Sequence, residues 1–171
     1  HAARVSSKII KESLDIKADA FELLFSKFGN NVSQKIRKHH DENSGISRFE
    51  KIPLYLKWAG MDASKEKISE YSQKFSDLVF NKVINCEWVD GIEIFLESYY
   101  KKTELHLISA TPQVEIECIL EKLKINHFFK NIIGSPIDKS DAINKILEKS
   151  NILNKHSVMI GDSYSDFIGA Q

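Results

Sequence analysis

The stretch Val-Met-Ile-Gly-Asp-Ser-Tyr-Ser-Asp, residues 158–166, decides the fold of this chain. It predicts a short buried strand over 157–160 that stops at Gly161, where a glycine lets the backbone turn sharply. Asp162 and Asp166 can then face one small volume at the carboxyl end of the strand, the edge at which open α/β sheets bind ligands. Paired carboxylates there suit a hard cation such as Mg²⁺. The alternative is a surface turn whose aspartates cap a helix over 166–171.

The rest of the chain divides into two patterns. Residues 16–88 have a helical period with almost no strand signals, which predicts an all-helical module. Beyond residue 89, short apolar runs at 105–108, 131–134 and 157–160 alternate with helical segments, as in parallel βαβ units. We therefore predict an α/β fold with a Rossmann-like parallel core over 89–171, and we treat residues 1–15 as an aberrant remnant of the core's start.

Composition excludes several classes of partner. The chain has 171 residues, and its 24 lysines and arginines equal its 24 aspartates and glutamates, so no overall charge attracts nucleic acid or an anionic membrane. No apolar run approaches the roughly 20 residues that cross a bilayer, and no signal peptide is visible. Cys86 and Cys118 form no metal-ligand or redox spacing and are expected as reduced thiols in or near the core. We expect a cytoplasmic protein; its oligomeric state is not indicated.

The strand predicted at 105–108 is followed by Ser109-Ala110-Thr111-Pro112. A hydroxyl at a strand end, followed by the free amides of Ala110 and Thr111 at a helix start, would form a phosphate cradle. The alternative is a helix cap by Ser109 or Thr111 that needs no ligand.

The strand predicted at 131–134 leads to Lys139 at the start of the next helix. A cation is unfavourable there against the helix dipole, so an anion between the lysine and the amide groups would explain it. A solvated lysine is the alternative. Taken together, a hydroxyl, a lysine and two carboxylates on successive strand ends indicate one site for a phosphate and a divalent cation.

These motifs resemble the haloacid dehalogenase superfamily of phosphohydrolases, and especially its phosphoglycolate phosphatase-like members. The second motif of that family is an apolar strand ending in serine or threonine, as at Ser109. The third is a lysine at a helix start, as at Lys139, and the fourth is Gly-Asp-x-x-x-Asp, as at Gly161, Asp162 and Asp166. The helical module is similar to the cap that these enzymes insert after their first motif.

The resemblance implies a Mg²⁺-dependent phosphatase of small phosphorylated metabolites. Asp162 would hold the cation with Asp166 close by, while Ser109 and Lys139 would stabilise charge on the transferring phosphoryl group. Cap segments of the family usually select the substrate, and Arg48 could hold a second anionic group of that substrate with two hydrogen bonds. An arginine paired with a nearby surface glutamate is the alternative. The natural substrate is not indicated.

The family's first motif, Asp-x-Asp-Gly, is missing. Aligning the chain on Lys11-Glu12-Ser13 puts residues 5–8, Val-Ser-Ser-Lys, in its place. In the family the first aspartate attacks phosphorus, which Val5 cannot do, and the second is a general acid, which Ser7 cannot replace near neutral pH. We therefore expect little or no turnover, and the alternative function is a non-catalytic phosphate-binding or regulatory protein on the same scaffold.

Residues 1–10 also read poorly as the buried central strand of such a sheet, because Arg4, Ser6, Ser7 and Lys8 interrupt the apolar run. We expect the sheet to be incomplete at both chain ends. The missing motif suggests a partial or frame-shifted copy whose first ten or so residues are foreign to the parent protein.

Overall fold

The structure is a computed structural model that describes residues 2–150 and 154–171. It contains two compact units, one formed by residues 1–12 with 86–171 and the other by residues 13–85. The second unit is thus inserted into the first. It begins and ends three residues before the helical module expected at 16–88.

The inserted unit is all-helical. Its helices are α1 (Leu14–Phe25), α2 (Asn30–Glu42), α3 (Arg48–Trp58) and α4 (Lys65–Asn85). Aromatic rings fill its interior: Phe21 stacks on Phe75 with ring centroids 4.0 Å apart and meets the edge of Tyr55 at 5.2 Å. The helical period that the sequence shows over this segment therefore reflects one apolar face per helix, buried against its neighbours.

The other unit is an α/β layer structure around a four-stranded sheet. Its strands are β1 (Ala2–Ser6), β2 (Glu104–Pro112), β3 (Asn131–Ser135) and β4 (Ser157–Ile160), in the spatial order β3-β2-β1-β4. Each neighbouring pair is parallel. Its helices are α5 (Ile92–Tyr99), α6 (Gln113–Lys122), α7 (Lys139–Ser150) and α8 (Tyr164–Gly169). The predicted Rossmann-like parallel core with an inserted helical module is confirmed.

The expectation that the amino-terminal segment would not form the central strand is wrong. β1 lies between β2 and β4, with Val5 opposite both Leu107 and Ile160, and all five of its residues are buried. Ala3 and Val5 point into the main apolar cluster of this unit, while Arg4 lies on the other face. β1 is therefore paired on both sides although some of its side chains, such as that of Arg4, are poorly suited to burial.

Two further expectations concern the burial of the cysteines and the absence of a membrane-spanning segment. Within the described residues neither cysteine forms a disulfide, and Cys86 is partly buried whereas Cys118 is exposed, so the expected place in or near the core is wrong for Cys118. Within the described residues, no helix combines the length and the apolar character needed to cross a membrane.

Candidate phosphate-binding site

The carboxyl ends of the four parallel strands bring their following residues to one edge of the sheet. Several side-chain contacts connect the segments at this edge, and three of them are central to the site. The Oγ atoms of Ser7 and Ser109 are 2.7 Å apart and join the ends of β1 and β2. The two others are ion pairs, Lys8 with Asp162 and Lys139 with Asp166, which join the residues after β1 and the start of α7 to the residues after β4.

Ser109 is bonded within the chain on two sides. Its buried hydroxyl lies against Ser7 and also accepts a hydrogen bond of 3.0 Å from the backbone N–H of Thr111. The predicted loop at 109–112 is instead the end of β2, which continues to Pro112 with an irregular register against β3 after Ile108. Ser109 thus accepts the hydrogen bond of an amide within this irregular stretch. The phosphate cradle at Ala110 and Thr111 stays a prediction.

Lys139 is the first residue of α7, and an internal anion explains its position. Its Nζ donates to Oδ1 of Asp166 at 2.5 Å and to Oγ of Ser163 at 3.2 Å. The side chains of Lys139 and Asp166 are only 10% and 3% exposed, so this is a buried ion pair. Burial lowers the pKa of Lys139, and the Asp166 carboxylate acts against that shift by favouring the charged ammonium.

Asp166 also caps the helix in which it lies. Its Oδ2 accepts hydrogen bonds from the backbone N–H and the hydroxyl of Ser163, at 3.1 and 2.5 Å, at the start of α8. The capping alternative to the metal site is therefore present at Asp166. Gly161 makes the arrangement possible, because a Cβ added at Gly161 would lie 2.6 Å from that same oxygen.

Asp162 is the more open of the two carboxylates. Its side chain is 44% exposed, and its Oδ2 lies 2.9 Å from Nζ of Lys8, whose side chain is 11% exposed. Lys8 is in a short 3-10 turn that follows β1, so the end of the central strand places its ammonium group beside the residues after β4.

This donor set does not fit a divalent cation. Mg²⁺ in proteins is held by one or two carboxylates together with waters and substrate oxygens. Here Asp162 and Asp166 each carry an ammonium group at contact distance, which a metal would have to displace or approach closely. Within the described residues, no group of three or more histidine, cysteine, aspartate or glutamate side chains could hold a metal ion.

Arg48 lies inside the helical unit. It is buried, its Nη1 donates to Oγ of Ser76 at 2.5 Å, and its guanidinium group lies 4.6 Å above the ring of Phe75. These contacts hold the guanidinium in the packing of α3 against α4. The expected role of Arg48 in choosing the substrate stays a prediction.

Sequence reasoning gave no role to three residues of this edge. The sequence places Ser7 and Lys8 at the positions of an absent motif and Ser163 between the two aspartates. The structure gives each of them a side-chain contact at this edge. A signal was available for Lys8, since it follows a strand of the sheet by two residues and must therefore lie near that strand's carboxyl end. The poor strand pattern of residues 1–10 obscured it.

Comparison with known proteins identifies the family of this chain. A model of the family described as haloacid dehalogenase-like hydrolase matches residues 9–171. The chain is 27% identical to the 5'-nucleotidase of Pseudomonas aeruginosa over 129 residues, which are 70% of this chain and 56% of that protein. It is 35% identical to the phosphoglycolate phosphatase of Vibrio cholerae over 72 residues, 39% of this chain and 32% of that protein. The chain thus spans less than two thirds of the length of either relative.

A solved structure agrees on the fold. The HAD-hydrolase YfnB from Bacillus subtilis, in a magnesium-bound form, superposes with a TM-score of 0.70 and 18% sequence identity, covering 99% of this chain and 84% of that one. At this identity the likeness extends to the fold alone.

Proposed function

The chain belongs to the haloacid dehalogenase-like hydrolases, and from this premise we propose that it binds small phosphomonoesters without hydrolysing them. The proposed site is the carboxyl edge of the sheet in the α/β unit. Relatives named as a 5'-nucleotidase and a phosphoglycolate phosphatase support a phosphorylated metabolite as the ligand.

One observation supports the proposal: two hydroxyl groups and two ammonium groups lie on the segments at the edge where ligands of such sheets bind. Ser7 and Ser109 are in direct contact, and each ammonium lies in an ion pair that reaches the residues after β4. A phosphate monoester offers several charged oxygens that accept hydrogen bonds from groups of both kinds, and charge-assisted bonds of this type are the stronger ones.

The two ion pairs differ in how easily a ligand can reach them. Lys139 and Asp166 are buried and also anchor the start of α8, so that we expect this pair to stay intact. Lys8 pairs with the half-exposed Asp162, so a ligand can reach this pair from the side of Asp162, and a phosphate oxygen can compete for the Lys8 ammonium.

The absence of hydrolysis follows from the residues at the end of β1. Covalent catalysis on phosphorus needs a nucleophile activated by a neighbouring base or by a lowered pKa. Val5 has no nucleophilic group and is fully buried. Among the described residues, the Ser7 hydroxyl contacts that of Ser109, which is not a base. Asp162 and Asp166 are each held by a lysine instead.

Calorimetric titration with phenyl phosphate, together with an assay for released inorganic phosphate, tests the proposal. We expect saturable binding, no binding of phenol, and no release of phosphate above the rate without protein. Ser7→Ala should weaken binding by at least about tenfold, because a hydrogen bond to a charged group contributes roughly 1.5–3 kcal/mol. Ser26→Ala is the matched control, since Ser26 lies in the helical unit and its exposed hydroxyl donates only to the carbonyl of Leu23 at the end of α1 among the contacts described.

Two results would contradict the proposal. Turnover of phenyl phosphate by the purified wild-type chain would show that a group at this edge replaces the missing aspartate. Equal affinities for phenyl phosphate and phenol would show that the phosphoryl group is not what the site recognises. The natural metabolite, the cytoplasmic location and the absence of nucleic-acid or membrane partners remain predictions from the sequence.

A further inference from the structure

We propose that the Lys8 ammonium takes the place of a divalent cation beside Asp162, so that this site binds phosphate without a metal. The inference concerns the charge of the site and rests on the proposed function only for the identity of the ligand.

The position of Lys8 is built into the fold. β1 is the inner strand next to β4, with Val5 opposite Ile160. Both strands end within two residues of that pair, and the chain then leaves the sheet. The turn after β1 and the turn after β4 therefore face each other, and Nζ of Lys8 meets Oδ2 of Asp162 at 2.9 Å. The lysine side chain is 11% exposed, so it lies against the edge rather than extending into solvent.

The charges of the two ion pairs balance. Lys8 and Lys139 supply two positive charges, and Asp162 and Asp166 supply two negative charges. Burial has the largest effect on the pKa of Lys139 and lowers it; Lys8 also lowers this pKa, and Asp162 raises it. The two ion pairs therefore lie within electrostatic reach of each other and form one cluster.

A divalent cation at Asp162 would have to sit next to an ammonium group. Two like charges at contact distance in a partly buried site repel strongly, because the local dielectric constant is well below that of water. Compared with the Asp-x-Asp-Gly pattern, Val5 and Ser7 each remove a negative charge and Lys8 adds a positive one. The segment after β1 is therefore more positive than that pattern by three charges, without any cation.

Binding of Mn²⁺ alone, followed by the loss of its free-ion electron paramagnetic resonance signal, tests the charge argument without any phosphate. We expect no binding to the wild-type chain or to Lys122→Gln, a control at an exposed lysine of α6. Lys8→Glu should bind Mn²⁺, since it replaces the ammonium with a third carboxylate next to Asp162 and Asp166. Wild-type binding as tight as that of Lys8→Glu would overturn the inference.

Titration with inorganic phosphate, in EDTA and then in excess Mg²⁺, tests the consequence for the ligand. We expect the wild-type affinity to be the same in both buffers, within about twofold, and Lys8→Gln in EDTA to bind at least about tenfold more weakly. Lys122→Gln should bind like the wild type. The wild-type comparison needs no substitution, so it does not depend on whether a variant folds.

The outcomes separate this inference from the proposed function. Phosphate binding that requires Mg²⁺ would overturn the role of Lys8 and leave the proposed function standing. Undiminished binding by Lys8→Gln in EDTA would likewise overturn it. Failure of the wild-type chain to bind phosphate in either buffer would overturn both.

Discussion

At the scale of single residues, the edge of the sheet depends on Gly161 and on the two lysines that face the aspartates. Asp166 can serve Lys139 and the start of α8 at once because nothing projects from residue 161 into the space of its carboxylate. Lys139, in turn, is tolerated at a helix start because its counter-ion lies within the same unit. Gly161 thus leaves room for the Asp166 carboxylate, and that carboxylate in turn neutralises Lys139.

We expect Gly161→Ala to lower the free energy of unfolding by about 1–3 kcal/mol, the usual cost of inserting a methyl group into a packed site. The new Cβ would lie 2.6 Å from Oδ2 of Asp166 and force that side chain away from its partners. Urea denaturation measures the change. Gly169→Ala is the comparison, since its added Cβ would lie 3.2 Å from Cβ of Lys139, a tight contact but without the overlap expected at residue 161, so its effect should be smaller. Equal effects of the two substitutions would contradict the proposed role of Gly161.

At the scale of elements, β1 combines a favourable backbone with an unfavourable side chain. Arg4 is 5% exposed in a strand paired on both sides, and only its Nη2, which donates to Ser157 at 2.8 Å, has a partner among the described residues. Its Nε and Nη1 are buried without an acceptor there. Burial lowers the pKa of Arg4, because removal of the guanidinium group from water disfavours its charged form.

Arg4→Leu should therefore raise the free energy of unfolding, by about 1–3 kcal/mol, because a leucine suits a buried parallel strand and removes an incompletely paired charge. Chemical denaturation followed by circular dichroism measures the effect. Arg37→Leu provides the comparison, as Arg37 forms ion pairs with Asp19 and Glu22 on a partly exposed surface and its replacement should change stability by less than about 1 kcal/mol. A loss of stability in Arg4→Leu would mean that the bond to Ser157 outweighs the buried charge.

At the scale of the whole molecule, the packing of the helical unit and the candidate site use different residues. The aromatic interior around Phe21 and Phe75 belongs to residues 13–85, whereas every side chain of the proposed site belongs to the α/β unit. Stability of the inserted unit and affinity for phosphate should then respond to different substitutions.

Phe75→Ala tests that separation. Phe75 is 2% exposed and stacks on Phe21, so its truncation should cost about 3–5 kcal/mol of unfolding free energy. At a temperature where the variant is still folded, its affinity for inorganic phosphate should equal that of the wild type, as measured by calorimetry. Phe49→Ala is the control, because Phe49 is 39% exposed and should change stability little. A large change in phosphate affinity for Phe75→Ala would contradict the separation.

The sequence alone determined the alternation of strands and helices beyond residue 89, the parallel sheet with its inserted helical segment, and the family. Those features depend on period, turn residues and short motifs such as Gly161 with Asp162 and Asp166, and these are local properties that a chain carries in its letters. Only the tertiary structure decided that the irregular residues 2–6 form the central strand, that β2 continues to Pro112, and that Lys8 and Lys139 neutralise the two aspartates. Residues 8 and 162 are far apart in sequence, and nothing in either local pattern specifies the distance between their charged groups until the sheet is assembled.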